Sequence, residues 1–395
     1  MKERLETSKN IIPYGRQDIS KEDIKSVIEV LKSDFITQGS VTPEFERQVK
    51  TYCGSDYAFA YNSATSALHA ACFSLGVKKG DLVWTSANTF VATANCALYC
   101  GAEVDFVDIN PKTFNISIEA LEKKLKNAKK NGSLPKVIIP VHISGQSCEM
   151  REIHDLSKRY KFKIIEDASH AIGGEYKSKK IGQCVYSDIT IFSFHPVKII
   201  TTGEGGIAVT NTKKYAEKLN VFRSHGITKD FSKFKVKNEG PWFYEQQLLG
   251  FNYRMTDIHA SLGLSQLKRI DKIVKKRHEI ANFYFEKLSS LPVELPFQLN
   301  ETYSSFHLFV IRLKLDKIKA SKKEIFSHLR KNNILVNIHY IPVYFHPFYK
   351  SLGFKRGYCP SAEKYYKEAI SLPIFPNLTK KDQSRVIRVL KNILR

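Results

Sequence analysis

From Ser20 onward the apolar residues Ile24, Val27, Ile28 and Leu31 recur three and four places apart, the spacing of one helical face. Asp23 stands three places after the Ser, so the pattern predicts an amphipathic helix with a capping box. Thr42-Pro43 opens a second helix, with Pro at the first helical position, where its missing N–H costs nothing. A third helix, rich in small residues, runs from Ser66 to Leu75 and ends at Gly76. Short β-branched runs follow: Leu82 to Thr85, Val104 to Val107, Val137 to Val141, Lys163 to Glu166, Ile189 to Phe194 and Ile207 to Thr210. Helical stretches such as Ser117 to Lys130 and Met150 to Tyr160 separate several of them. Near-continuous apolar strands joined through helices predict an α/β fold with a mostly parallel sheet covered on both faces. The last two runs read as an antiparallel hairpin.

The texture changes at about Gln266. A long charged helix (about Lys268 to Leu288) leads into a Pro-containing connector, Leu291 to Leu299. Strand, helix and strand follow (Phe306 to Leu313, Lys322 to Lys331, Val336 to His339), then two closing helices. The expected division is residues 1–265 as a large domain and residues 266–395 as a smaller α+β domain, without internal repeats.

Of the 395 residues, 43% are hydrophobic, which excludes a disordered chain. Lys and Arg exceed Asp and Glu by 62 − 39 = 23, a balance that favours anionic partners. The lysines lie in scattered pairs such as Lys123-Lys124 and Lys275-Lys276, and there is no zinc finger, RNA-recognition signature or basic zipper. A solvated basic surface is therefore expected, and nucleic acid is not the expected partner. The seven cysteines are odd in number and never spaced C-x-x-C, so they read as reduced core residues rather than disulfides or a metal site. The chain begins MKERLETSKN, without the apolar core of a signal peptide, and no run approaches the roughly eighteen apolar residues of a membrane helix. A reducing cytoplasm is the expected home.

Candidate chemistry concentrates in a few segments. Lys198 follows a buried strand among Val197, Ile199 and Ile200. Poor solvation there would disfavour the ammonium and leave a nucleophilic amine, although a snorkelling lysine has the same look. Asp167 ends the strand Ile164-Ile-Glu-Asp, at the edge where open α/β sheets bind ligands, with His170 three residues on. Alone, such an Asp also fits a helix cap. Asn62-Ser-Ala64-Thr65-Ser opens a helix with small residues, an anion site by virtue of free N–H groups and the helix dipole. No G-K-[ST] P-loop, G-x-G-x-x-G, G-x-S-x-G or H-E-x-x-H is present. A nucleophilic lysine, a carboxylate, a phosphate-binding helix start and an aromatic, Phe90, together describe a pyridoxal 5'-phosphate site.

The segments "NSATSALHAAC", "NTFVATANCALYCGA", "IIEDASHAIGGEY", "FSFHPVKIITTGEGG", "RSHGITKD" and "GFNYRMTDIHASLGLSQL" resemble the DegT/DnrJ/EryC1/StrS sugar aminotransferases, of the fold type I pyridoxal phosphate class. The likeness runs from about Ile12 to the C-terminus. It is strongest to the branch serving pseudaminic acid biosynthesis, through "IPYGRQDIS", "SDFITQG", "GPWFYEQQLLGFNYRM", "NIHYIPVY" and "AISLPIFPNLT". The resemblance implies amination at C4 of a UDP-linked 4-keto-6-deoxy-N-acetyl-hexosamine, with L-glutamate as donor. In "PVHISGQS", however, His142, Ser144 and Gln146 follow relatives acting on other sugars.

By resemblance, Lys198 would carry the cofactor and shuttle a proton between the substrate carbon and the cofactor C4′. Asp167 would pair with the pyridinium nitrogen, His170 would lie by the phenolic oxygen, and Phe90 would stack on the ring. Ala64, Thr65 and Ser193 would hold the phosphate, joined by Asn252 from the second subunit of a homodimer with shared active sites. Tyr14, Asp34, Phe35, Ile36, Thr37, His339, Tyr340, Ile341 and Pro342 would touch substrate. Two other readings compete. Dehydratases of this fold replace the lysine with histidine, against Lys198 here. A basic nucleic-acid regulator on a dead aminotransferase fold would explain the charge but not the retention of Lys198, Asp167 and the phosphate cradle together.

Overall fold

A computed structural model describes residues 11–394; the MKERLETSKN segment lies outside them. Seven strands form one sheet: β1 (Tyr57–Tyr61), β2 (Leu82–Ser86), β3 (Glu103–Val107), β4 (Val137–Ile139), β5 (Lys163–Asp167), β6 (Ile189–Ser193) and β7 (Gly206–Thr210). Their spatial order is β1-β7-β6-β5-β4-β2-β3. All neighbours are parallel except β7, which is antiparallel to both β1 and β6. The β6–β7 hairpin was legible, whereas β1, which alternates Tyr-Ala-Phe-Ala-Tyr, was not marked as a strand. Strands β6 and β7 are buried along their whole length, as a sheet covered on both faces requires.

Helices α1 (Lys21–Leu31), α2 (Val41–Cys53) and α3 (Ala64–Ser74) precede the first parallel crossover. The capping box of α1 is present: Ser20 Oγ accepts from Asp23 N at 3.2 Å, and Asp23 Oδ2 accepts from Ser20 N at 2.8 Å. Its apolar stripe does not enter the core of this chain. Ile24 is 53% exposed and Leu31 55%, while Asp23 and Val30 are buried. Pro43 falls at the third position of α2, not the first, which is still within the turn whose N–H groups need no intrahelical partner. Helix α3 starts two residues earlier than its periodicity suggests, because Ser63 is the N-cap and accepts from Ser66 N.

The crossovers carry α4 (Ala92–Tyr99), α5 (Ile118–Asn131) and α6 (Met150–Tyr160), and α7 (Lys213–Phe222) follows β7. What looked like one long charged helix from Lys268 is α9 (Ile270–Leu288), preceded by a separate α8 (Asp257–Leu267). Helix α9 serves two apolar clusters. Ile273 and Val274 pack with Phe45, Phe192 and Phe194 under the sheet. Ile280, Tyr284 and Leu288 pack with Phe309, Ile325 and Leu390. The second cluster is built on β8 (Val293–Glu294), β9 (Phe309–Leu313) and β10 (Ala369–Leu372), α10 (Lys322–Lys331) and α11 (Lys380–Leu394). No strand forms over Val336 to His339. Ile334–Leu335 instead pairs in parallel with Ile12–Pro13, and the chain beyond it leaves the ladder. All seven cysteines are free. No helix among the described residues is long and apolar enough to cross a membrane.

Buried Asp23 ties α1 to α8 and its end. Its carboxylate accepts from Ser265 Oγ at 2.6 Å, Gln266 Nε2 at 2.7 Å and Arg269 Nη2 at 2.7 Å. Burial alone would raise its pKa, but the bonds from Ser20 N–H, Ser265 and Arg269 outweigh it and hold the acid below the usual range. A depressed carboxylate stabilises the fold above its unfolded pKa of about 3.9 and loses that contribution as pH falls through the folded value. Asp23→Asn should therefore lower stability by roughly 2–4 kcal/mol near neutral pH, because Arg269 loses a buried partner. In thermal denaturation from pH 7 to pH 3, the gap between wild type and variant should close only below about pH 4.

Candidate active site

The C-terminal ends of β5 and β6 are neighbours, with Asp167 paired opposite Ile191, so Asp167 and Ser193 open on the same edge of the sheet. Asp167 is buried and doubly anchored: Oδ2 accepts from Thr93 Oγ1 at 2.6 Å and Oδ1 from Ser169 N at 3.1 Å. Thr93 lies in the first turn of α4, two residues before Asn95, whose Oδ1 accepts from Tyr349 Oη at 2.5 Å. Both carboxylate oxygens of Asp167 are thus held in place, one by α4 and one by the turn that follows β5.

Lys198 sits in the β6–β7 connection, which the backbone holds tightly. Phe194 N donates to Gly205 O at 2.9 Å, Thr202 N to Phe194 O at 3.0 Å, and Lys198 N to His195 O at 2.9 Å. A Cβ on Gly205 would lie 2.2 Å from Thr202 Oγ1, so only glycine permits that closure. The Lys198 amine forms no hydrogen bond or ion pair with any described residue. Burial lowers its pKa to about 8, while the charge of Asp167 pulls the other way. The side chain is half-buried, and no carboxylate or carbonyl among the described residues takes its proton.

The phosphate reading can be tested on the helix start. Ser63 caps α3 through Ser66 N, and the Ala64 and Thr65 N–H groups have no partner among the described residues. Gly206 presses against this turn: a Cβ there would lie 2.4 Å from Ala64 N. Ser193 Oγ accepts weakly from His195 N at 3.5 Å, leaving its hydroxyl proton free. Two unpaired N–H groups, a free hydroxyl, a partnerless amine and an anchored carboxylate fit the phosphate, aldehyde and ring nitrogen of pyridoxal phosphate.

His170 is buried. Its Nε2 lies 3.0 Å from Tyr340 Oη, its Nδ1 accepts from Ser144 N at 3.3 Å, and its ring centroid is 4.3 Å from that of His307. Burial pushes its pKa well below the ordinary histidine value, and Lys198 and His339 push the same way. Tyr14 and His339 pack at 5.1 Å between ring centroids, and burial, with Lys198, takes His339 down to about 3. Phe90 is 57% exposed and 6.1 Å from the Tyr340 ring, so it is not a core residue. Ile341 is exposed and Pro342 buried.

The remaining predicted residues are exposed. Asp34, Phe35, Ile36 and Thr37 are exposed on a segment held to the start of α8, where Asp257 N donates to Ile36 O at 3.0 Å. Asn252 is exposed, and its carbonyl accepts from Asn62 Nδ2 at 3.4 Å. Sequence reasoning missed Asn88, whose Oδ1 accepts from Tyr340 N at 2.9 Å, and Thr93; neither has a signal of its own in an unaligned sequence. Gln146 also has a place in the packing of the fold. Gln146 Nε2 donates to Phe297 O at 3.0 Å, and its Oε1 accepts from Leu299 N at 2.7 Å, so it fastens the connector after β8 to the sheet side. His142 is likewise buried in support of the sheet, its Nε2 2.7 Å from Glu166 Oε2.

Residues 17–391 match the model of the DegT/DnrJ/EryC1/StrS aminotransferase family. A Campylobacter jejuni UDP-4-amino-4,6-dideoxy-N-acetyl-beta-L-altrosamine transaminase is 40% identical, with 97% of this chain and 98% of the relative covered. The Bacillus subtilis spore coat polysaccharide biosynthesis protein SpsC is 35% identical over 98% of each. The solved structure of Helicobacter pylori PseC, an aminotransferase of pseudaminic acid biosynthesis, superposes with a TM-score of 0.89 at 33% identity, covering 97% of this chain and 99% of that one. The chain belongs to this family of pyridoxal phosphate-dependent aminotransferases.

In the apoprotein, the Lys198 amine should react with an amine-directed reagent with half-maximal rate near pH 8 rather than above pH 10. Because Asp167 raises the lysine pKa, Asp167→Asn should move that midpoint to lower pH. Site-resolved mass spectrometry of the modified peptide reads both.

Proposed function

We propose that this pyridoxal phosphate-dependent aminotransferase transfers an amino group from L-glutamate to C4 of a UDP-linked 4-keto-6-deoxy-N-acetyl-hexosamine, in the making of pseudaminic acid or a closely similar surface sugar. The observation that carries the reading is the Lys198 amine, without a protein partner and lowered in pKa by burial with Asp167 near it, in a chain whose Ala64–Thr65 helix start leaves two N–H groups free. The names of the Campylobacter and Helicobacter relatives support the sugar, and the likeness in "NIHYIPVY" supports the C4 assignment.

When bound, pyridoxal phosphate supplies the electron sink that makes a C–H bond beside nitrogen breakable. The residues of the chain do the rest. Lys198, with a pKa near the working pH, can both take and return a proton at the reacting carbon. Asp167, fixed by Thr93 and Ser169, keeps the ring nitrogen protonated. Ala64, Thr65 and Ser193 would hold the phosphate, Phe90 would cover the ring, and Tyr14 and His339 to Pro342 would orient the sugar. The excess of positive charge draws in the acidic nucleotide.

The active unit is a homodimer in which Asn252 of the partner subunit completes the phosphate site. Ile24, Ile28 and Leu31 of α1, with Phe35 and Ile36, form exposed apolar surface of the kind a subunit contact covers.

Purified protein should be yellow with pyridoxal phosphate, bleach with borohydride, and aminate the UDP-4-keto-sugar from glutamate, with the product identified by NMR. Lys198→Ala should lower turnover by more than about a hundredfold, since one amine both carries the cofactor and moves the proton. A variant retaining over about a tenth of the rate, a loss under about 1.4 kcal/mol, would remove Lys198 from that role. Mixing inactive Lys198→Ala and Asn252→Ala subunits should restore activity through heterodimers with one intact site. No recovery after verified subunit exchange would sink the shared site.

A further inference from the structure

Ser144 occupies the left-handed region, φ +60°, in the short turn Ile143–Gly145, and that conformation turns its N–H onto His170 Nδ1. A backbone N–H can only donate, so Nδ1 is an acceptor; in a neutral imidazole the proton then resides on Nε2. Nε2–H consequently donates to Tyr340 Oη across the 3.0 Å contact. The ring has little freedom to turn over. His307 packs on it at 4.3 Å, and Ser305 Oγ donates to the His170 carbonyl at 2.8 Å.

The groups around His170 keep it neutral. Lys198 and His339 stand on the site side and His307 behind, with buried Arg277 beyond His307, donating to its carbonyl at 3.2 Å. Among the described residues, Asp167 is the carboxylate that acts on both Lys198 and Tyr340. The Tyr340 oxygen is therefore filled as an acceptor, and its own O–H has no other partner among the described residues. Tyr340 N is fixed by Asn88 Oδ1 at 2.9 Å, and its ring borders exposed Phe90.

We propose that Tyr340, aimed by His170, is the group that donates a hydrogen bond to a developing oxyanion in the Lys198 site, and that His170 is a positioning residue rather than the direct donor. The acceptor is either the phenolic oxygen of the cofactor or the carbonyl oxygen of the sugar. That identity rests on the proposed function; the direction of the Ser144–His170–Tyr340 chain does not.

Two measurements test the proposal. In the ¹⁵N-histidine-labelled apoprotein, with the His170 signal assigned by its loss in His170→Gln, NMR should show the Nε2–H tautomer across about pH 6 to 8. An Nδ1–H tautomer or an imidazolium at pH 7 overturns the chain of donors. In the holoenzyme without sugar, the visible cofactor band is titrated for wild type and Tyr340→Phe. A donor to the phenolic oxygen favours its ionised form, so removing it should raise the titration midpoint by about half a pH unit or more, roughly threefold in the proton equilibrium. If the band is unmoved while kcat for the sugar falls at least about tenfold with the glutamate half-reaction unchanged, the acceptor is the sugar carbonyl. If the band is unmoved and kcat for the sugar is also unchanged, the proposal is overturned. A wild-type protein that takes up no pyridoxal phosphate defeats the proposed function instead, and the apoprotein spectrum still decides the direction of the bonds.

Discussion

An ammonium held away from water is unstable as an ion, and the site is organised around that penalty at Lys198. Burial brings its pKa to about 8, and only the nearby charge of Asp167 limits the fall. For this to happen the amine must be presented where no carbonyl or hydroxyl meets it. The β6–β7 connection does so by satisfying its own backbone internally, through the bonds among Phe194, Thr202 and Gly205. The reversed strand β7 is what makes the connection a short hairpin instead of a helical crossover. It also presses Gly206 onto the start of α3, against Ala64 N.

The interior behind the lysine is unusually polar. His170, His307, His339 and Arg277 are all buried, and burial depresses every one of their pKa values. Arg277 pairs with no carboxylate among the described residues; its Nη1 is spent on the carbonyls of Phe306, His307 and Ile374. Those carbonyls lie just before β9 and just after β10, so the guanidinium knits the second apolar cluster to the wall of the site. Neutral imidazoles suit this setting because each can accept and donate without adding charge beside Lys198.

Much of this was readable in an unaligned chain. The parallel strands, the hairpin, the Ser20 cap and the triad of Lys198, Asp167 and the Ala64-Thr65 turn each follow from local rules: apolar runs, capping chemistry and residues at strand ends. Strand β1 was not, because Tyr and Ala in alternation carry little signal until β7 lies beside them. The pairing of Ile334–Leu335 with Ile12–Pro13 joins residues more than three hundred positions apart, beyond any window of periodicity. The apolar face of α1 was legible as a pattern and misleading as a location, since periodicity reports that a face is apolar and not what covers it. Thr93 and Asn88 act through single hydrogen bonds, which leave no trace in composition or spacing.

Gln146 alters how differences among such chains are to be understood. Its amide grips both Phe297 and Leu299, so the stretch from His142 to Gln146 works as a clasp between the sheet and the connector that leads to β9. Transplanting these five residues between relatives would exchange one clasp for another while the receiving connector stayed the same. A chimera of that kind would carry a mismatched seam. Useful grafts would carry residues 142–146 together with 297–302 as one cassette.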